Sequence, residues 1–344
     1  MARCRVRWAV IALLAVVLSG CDGIWRASES GRWMSPLHQD HPLVGRVWVP
    51  SEDRFVTAGE VFGALQGADF VLVGEKHNNA DHHRYQSYVI REMFVQRRQP
   101  AIVFEMLTED QQAALDSHLA DNPRDSAGIG KAVGWEARGW PRWPVYQPIT
   151  DVALAYDAPL LAGGLDREAT RAVSSQGVEA LGAARARRLR LDEPVGDAMR
   201  TGMRGEIYES HCRQLPEPML DPMVTVTLAK DAAMAEAMIR GRALPQRDSA
   251  LLIAGTGHVR ADWGVPWHLR KLAPDTRIVS IGLVEVVADE ADPGAYAAAF
   301  GGRLPFDFVW FAPRVDDDDP CEVFAEQLRQ IRKRKAPASN SGDH

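Results

Sequence analysis

Glutamate and histidine recur in this chain directly after short apolar runs. Phe70-Val71-Leu72-Val73 runs into Gly74-Glu75-Lys76-His77, and Ala101-Ile102-Val103-Phe104 ends in Glu105. Pro159-Leu160-Leu161-Ala162 leads into Gly163-Gly164-Leu165-Asp166, and Leu251-Leu252-Ile253-Ala254 into Gly255-Thr256-Gly257-His258. Glu75, His77, Glu105 and His258 together offer carboxylate and imidazole, a set able to ligate zinc, iron or manganese. The same groups without a metal can make a general base with its orienting carboxylate. The spacing is not His-Glu-x-x-His, so a zincin is excluded. No Gly-x-Ser-x-Gly elbow and no Gly-x-x-x-x-Gly-Lys-Ser/Thr phosphate loop is present. The alternative to one shared site is that His77 and His258 each satisfy loop carbonyls. Beyond the first motif, Asn79 or Asp81 can cap a helix whose first turn holds His82 and His83. Neighbouring helical side chains point about 100° apart, so at least one of these histidines can face the cluster but both are not expected to, simple surface exposure being the alternative. A helix N-terminus disfavours imidazolium, which keeps such a ring neutral and able to ligate.

The elements that must position these residues alternate. The runs above, with Ile278-Val279-Ser280-Ile281 and Phe306-Asp307-Phe308-Val309-Trp310-Phe311, are short enough for buried strands. Helical patterns lie between them at 82–97, 109–119, 167–190 and 225–239. Strand–helix alternation predicts an α/β fold with a central, mainly parallel sheet flanked by helices. In such sheets ligands bind at the carboxyl ends of the strands, where the Glu and His residues fall. Each Gly-x-x-His is expected to use glycine for a sharp turn off its strand. One large α/β domain is expected over residues 56–315. Asp319-Pro320 starts a last helix to about residue 334, and 335–344 is expected to be a disordered tail.

The N-terminus reads as an address. Arg3, Arg5 and Arg7 precede an apolar run from Trp8 to Leu18, which at about 16 Å as a helix is too short to span a bilayer. A secretory signal over residues 1–20 is expected. Leu18-Ser19-Gly20-Cys21 matches a bacterial lipobox, which makes Cys21 the lipidated N-terminus, anchored by palmitate-type acyl chains. An uncleaved short anchor is the alternative. The expected location is the bacterial cell envelope, at the inner or outer membrane facing the periplasm, with residues 21–55 as tether and approach segment. Cys212 and Cys321 then sit in an oxidising compartment, where they can pair or remain two separate thiols. Removing residues 1–20 takes three arginines and no acid, moving the formal charge of the 344-residue chain from −6 to −9. That balance argues against nucleic acid as a partner.

Several segments carry a family resemblance. Gly74-Glu75-Lys76-His77-Asn78-Asn79-Ala80-Asp81-His82-His83, followed by Phe104-Glu105-Met106, resembles the ChaN-type haem-binding lipoprotein family. Tyr146-Gln147-Pro148-Ile149, Asp231-Ala232-Ala233-Met234-Ala235-Glu236, and Gly255-Thr256-Gly257-His258 with Gly264-Val265-Pro266 extend it over roughly residues 56–285. The resemblance implies an α/β fold, a surface haem site drawn from Glu75, His77, His82, His83, Glu105, Tyr146 and His258, and a role in haem or iron acquisition. It also implies cofacial haem in a homodimer with a tyrosine axial ligand. Tyr146 lies in a matching segment, while Tyr85, Tyr156, Tyr208 and His211 remain open. The wider superfamily is similar to erythromycin esterases and Tiki-type metalloproteases. There the paired motifs are catalytic, so Glu75, His77, Glu105 and His258 are equally a hydrolase set, with or without a divalent metal. A non-catalytic interaction module is a third alternative.

Two positions depart from the pattern. Lys76 replaces a small residue, and Asp166 stands where Asn is commoner. Between Gly134 and Trp143 lie three tryptophans with Arg138 and Arg142, which can cover a porphyrin and meet its propionates or simply pack a lid over the core.

Overall fold

The computed structural model describes residues 32–335. The signal segment, Cys21 and the tail from residue 336 lie outside them. In chain order the elements are β1 (Val47–Val49), β2 (Arg54–Val56), α1 (Ala58–Leu65), β3 (Phe70–Glu75), α2 (Ala80–Val95), β4 (Pro100–Thr108), α3 (Gln112–Asp121) and α4 (Ser126–Ala132). Next come α5 (Trp143–Ala155), β5 (Leu160–Gly164), α6 (Arg167–Gln176), α7 (Ala183–Arg188), α8 (Asp197–Ser210) and α9 (Leu220–Arg242). The chain continues through β6 (Ser249–Gly255), α10 (Val265–Leu272), β7 (Ile278–Glu285), β8 (Phe308–Ala312) and α11 (Pro320–Lys335).

One sheet orders the strands β2-β1-β8-β7-β3-β6-β4-β5. All pairings from β8 to β5 are parallel, and only β1 runs antiparallel to its neighbours. The α/β expectation holds, and the reason is visible in the strands. Val71, Val73, Ile102 and Phe104 pack under α2 and α5, while Phe70, Leu72, Val103 and Leu252 pack under α9 and α10. Alternate side chains point to opposite faces, and both faces are covered, so the strands read as continuous apolar runs. Each such side chain contributes about 1.5–3 kcal/mol on burial.

Two stretches differ from the expected ones. The stretch before residue 56 adds β1 and β2 to the sheet; strands of three residues are too short to show a period. The helix expected over 167–190 breaks, because Gly177 and Gly182 both take φ +82°, outside the right-handed region open to helices. The last helix starts where expected, with Asp319 accepting the Cys321 N–H at 2.8 Å. Cys212 and Cys321 are joined as a disulfide across 109 residues, which ties α11 to the end of α8. Among the described residues no helix is long and apolar enough to cross a membrane.

Candidate functional site

The site forms where β3, β6 and β4 lie side by side. Glu75 closes β3 in register with Gly255, which closes β6. The Gly255 N–H donates to Glu105 Oε2 at 2.8 Å, so three neighbouring strands meet at one backbone amide. Glu105 is not a strand terminus as expected, since β4 continues to Thr108. Instead the ladder to β6 stops at Phe104, and the pairing to β5 slips between Phe104 and Thr108. That irregularity turns the Glu105 carboxylate over the end of β6. Nor do Gly74 and Gly255 supply a left-handed turn: neither has positive φ. Gly255 is needed for space, because a Cβ there would lie 3.1 Å from His77 Nε2. The imidazole rests on bare backbone.

Around Glu75 the contacts are dense. Its Oε1 accepts from Tyr146 Oη at 2.6 Å and sits 2.9 Å from His77 Nδ1. Its Oε2 lies 3.1 Å from His83 Nε2, and the other His83 nitrogen faces the Val145 carbonyl at 2.9 Å. Burial would raise the Glu75 carboxyl, but the charge of His83 and the bonds from His77 and His83 hold it far below its ordinary value. Burial and the adjacent Glu75 push the Tyr146 phenol up. Burial lowers the basicity of His77, yet contact with Glu75 raises it overall. The His77 side chain is 33% exposed, whereas Glu75 and His83 are fully buried.

His258 has a second carboxylate that was not among the expected site residues. Its Nδ1 bonds Asp231 Oδ1 and its Nε2 lies 3.2 Å from Glu105 Oε1. Asp231 stood inside the Asp-x-x-Met-Ala-Glu segment, the one sequence signal that marks it. Burial works against charge on His258, but Glu105 and Asp231 lift its pKa to about 10. Glu105 is held well below its usual range by His258, with Lys230 at 3.5 Å assisting against burial.

Other expected members fall elsewhere. His82 is buried, and its Nδ1 accepts the Lys76 N–H at 2.9 Å. Burial, with His83 close by, lowers its pKa to about 3, so it is a neutral structural ring and not part of the cluster. Of the two, His83 alone reaches the cluster, as expected of one of them, and the alternative of surface exposure fails for both: Asn79 caps α2 and both rings are buried. Lys76 turns away to Glu285 and Asp316, and Asp166 caps α6 by accepting the Ala169 N–H. Tyr146 is fully buried beneath His77. Tyr85 is buried against the Phe311 carbonyl, Tyr156 stacks on Phe94, and His211 faces Phe324. Trp135 and Trp143 pack the core, while Trp140 stands edge-on to His77 with ring centres 4.9 Å apart. The four-residue divalent-metal set is not assembled: the carboxylates and imidazoles pair with one another, and among the described residues no three His, Cys, Asp or Glu converge on a metal position.

Beside the cluster lies a groove of about 280 Å³. Glu105, Met106, Leu165 and Trp140 line it together with Arg138, Arg167, Arg171 and Lys230. Arg138 bonds Asp110, Arg167 donates to the Arg138 carbonyl, and Lys230 meets Glu105. A larger cavity of about 730 Å³ runs beside β5 between α7 and α9, lined by Arg185, Arg188 and Arg240 among others. None of the residues of the histidine cluster lines it, so size alone does not mark the chemistry.

The family model described as "Haem-binding uptake, Tiki superfamily, ChaN" matches residues 61–269. The chain belongs to this family. The ChaN-family core therefore runs from α1 to α10 and contains every member of the cluster. Among solved structures, ChaN of Campylobacter jejuni, described with cofacial haem binding, superposes with a TM-score of 0.57 at 20% identity. That match covers 77% of this chain and 95% of the Campylobacter chain. An erythromycin esterase variant in its open conformation gives 0.43 at 12% identity, covering 76% and 95%. A type III effector gives 0.41 at 12%, covering 74% and 92%. No curated protein matches the sequence.

Proposed function

We propose that this ChaN-family protein binds haem at the groove beside His77 and serves haem or iron acquisition as a lipid-anchored protein of the bacterial cell envelope. The observation that carries the reading is that the family's match falls on a groove with an aromatic wall and a cationic rim, its Trp140 standing edge-on to His77. Trp140, Met106 and Leu165 suit a porphyrin face, and Arg167 and Arg171 suit its propionates. Among the described residues the Arg171 side chain has no hydrogen bond or ion pair. At about 280 Å³ the groove is near the lower limit of small-molecule sites, about 300 Å³, so it would hold part of a porphyrin and not enclose it. Bound haem supplies an iron that needs a further donor; the chain supplies the donor, the apolar wall and the countercharge. The lipobox at Cys21 and a disulfide suited to an oxidising compartment support the envelope location.

Titrating the purified protein with haemin tests this directly. A Soret shift saturating at sub-micromolar to micromolar haemin is expected, and a flat titration of folded protein ends the reading.

A second reading is a histidine-based hydrolase. It is favoured by the two imidazole–carboxylate pairs, His77 with Glu75 and His258 with Asp231, an arrangement that orients a general base. Ester or peptide turnover lost in both His77→Ala and His258→Ala would establish it. A protein inert toward both substrate classes removes it.

A further inference from the structure

We infer that the carboxyl edge of the sheet, groove included, faces the bilayer that holds Cys21, so that the partner of this surface is a layer of lipid headgroups. The inference rests on the lipid-anchored reading above and goes beyond it, because an anchor alone sets no orientation. What sets it is where the chain enters the fold. The Arg32 carbonyl accepts from Arg84 Nη1, in the first turns of α2, at 2.9 Å. The Met34 and Ser35 N–H groups donate to the buried Asp81 carboxylate at 3.0 Å and 2.7 Å. Ser35 Oγ donates to Asn79 Oδ1 at 3.1 Å, and Asn79 Nδ2 in turn donates to Glu285, the last residue of β7, at 2.9 Å. The entry point is therefore clamped on the carboxyl edge, beside the histidine cluster.

Residues 22–31 lie between Cys21 and Arg32. Those eleven residue steps span at most about 40 Å, whatever their conformation. A domain of about 300 residues has the size of a sphere of radius about 25 Å. A chain rooted at one pole of such a sphere needs about 60 Å to pass round it and reach a surface touching the opposite pole. The amino edge of the sheet therefore cannot lie on the bilayer, and the shortest path brings the carboxyl edge there. From β3 to β5 is three strand spacings along that edge, about 14 Å, so the groove at the ends of β4 and β5 stays within reach of the interface. Its rim suits headgroups: Arg171 is exposed there, with no hydrogen bond or ion pair among the described residues, and a cation beside a bilayer surface is attracted to headgroup phosphate. Asp316 and Asp317, on the same edge, are met by Lys76 and Arg314.

The test places the full lipidated chain in vesicles that carry a nitroxide on a fraction of their headgroups. With Cys21 acylated and Cys212 joined to Cys321, an introduced cysteine is the one free thiol of the processed chain and takes a fluorophore. Four exposed positions serve: Asn78→Cys and Arg171→Cys on the carboxyl edge, Gln66→Cys and Asp275→Cys where the chain approaches β3 and β7. Labels at the first two should be quenched severalfold more than labels at the last two. Inserting about thirty Gly and Ser residues after Asp22 raises the reach to about 140 Å and should bring the four labels close together. Equal quenching of all four on the natural tether, or stronger quenching at Gln66→Cys and Asp275→Cys, overturns the orientation and leaves the anchor standing. A contrast unchanged by the insertion overturns the tether as its cause. A protein that does not float with the vesicles removes the anchor and the orientation together.

Discussion

His77 and His258 share a motif and each meets a buried carboxylate, yet their surroundings differ. His258 faces a carboxylate at each nitrogen, whereas His77 is held by Glu75 at Nδ1 and keeps a third of its side chain exposed. Two predictions belong here. In Gly255→Ala the new Cβ meets His77 Nε2 at 3.1 Å and Cε1 at 3.3 Å. The half-buried ring should tilt outward, so haemin affinity falls severalfold while the melting temperature changes by only a few degrees. Isothermal titration and a thermal melt check both. The second concerns pH. The folded-state pKa of His258, about 10, exceeds its ordinary 6.5, so folding is stabilised by its proton. That contribution is complete below about pH 6.5 and is lost as pH rises to about 10. Urea midpoints should therefore decline between pH 7 and 10 in wild type and decline less in His258→Gln. Equal slopes would show that the charge on His258 does not stabilise the fold.

Elements act on the site by ending, slipping or being tied down. β3 and β6 end level with each other, and the slip in β4 after Phe104 turns Glu105 across them. None of this requires regular geometry, and the irregularity is what assembles the cluster. Away from the site, the disulfide between Cys212 and Cys321 fixes α11 to the end of α8. Closing a loop of about 100 residues restricts the unfolded chain by about 4.7 kcal/mol in the entropic model, and losses of about 2–5 kcal/mol are usual. Cys321→Ser should lower stability within that range and expose α11 to limited proteolysis. Haemin binding should persist, since no cluster residue lies on α8 or α11. Loss of binding in a folded Cys321→Ser protein would show that α11 reaches the groove in solution.

At the scale of the whole molecule the open questions are attachment and assembly. Expression in a bacterial host should leave the protein in the membrane fraction with an acylated N-terminal cysteine. Cys21→Ala should block processing and leave residues 1–20 on the chain, as mass spectrometry of the N-terminal peptide would report. An unmodified Cys21 in wild type would contradict the anchor. A groove of about 280 Å³ is too small to enclose haem, which would leave part of a bound porphyrin for a second copy. Light scattering should then show dimers forming with haemin and not before it. A mass unchanged by haemin assigns one haem to one chain.

The alternation of apolar runs and helical stretches was enough to place an α/β sheet and to put Glu75, His77, Glu105 and His258 near its carboxyl edge. Local chemistry carries that information, because a strand buried on both faces must be apolar throughout and glycine must stand where an imbalance of space arises. The N-cap at Asp319 was legible for the same reason. The roles of the individual rings were not. His82 and His83 are adjacent in sequence and look alike there, but one bonds the Lys76 amide and the other stands between Glu75 and the Val145 carbonyl of α5. Asp231 reaches His258 from a helix 27 residues earlier, and Tyr146 reaches Glu75 from 71 residues away. Which nitrogen stays free depends on such long-range partners and on burial. Both arise only when β3, β6, β4, α5 and α9 pack together.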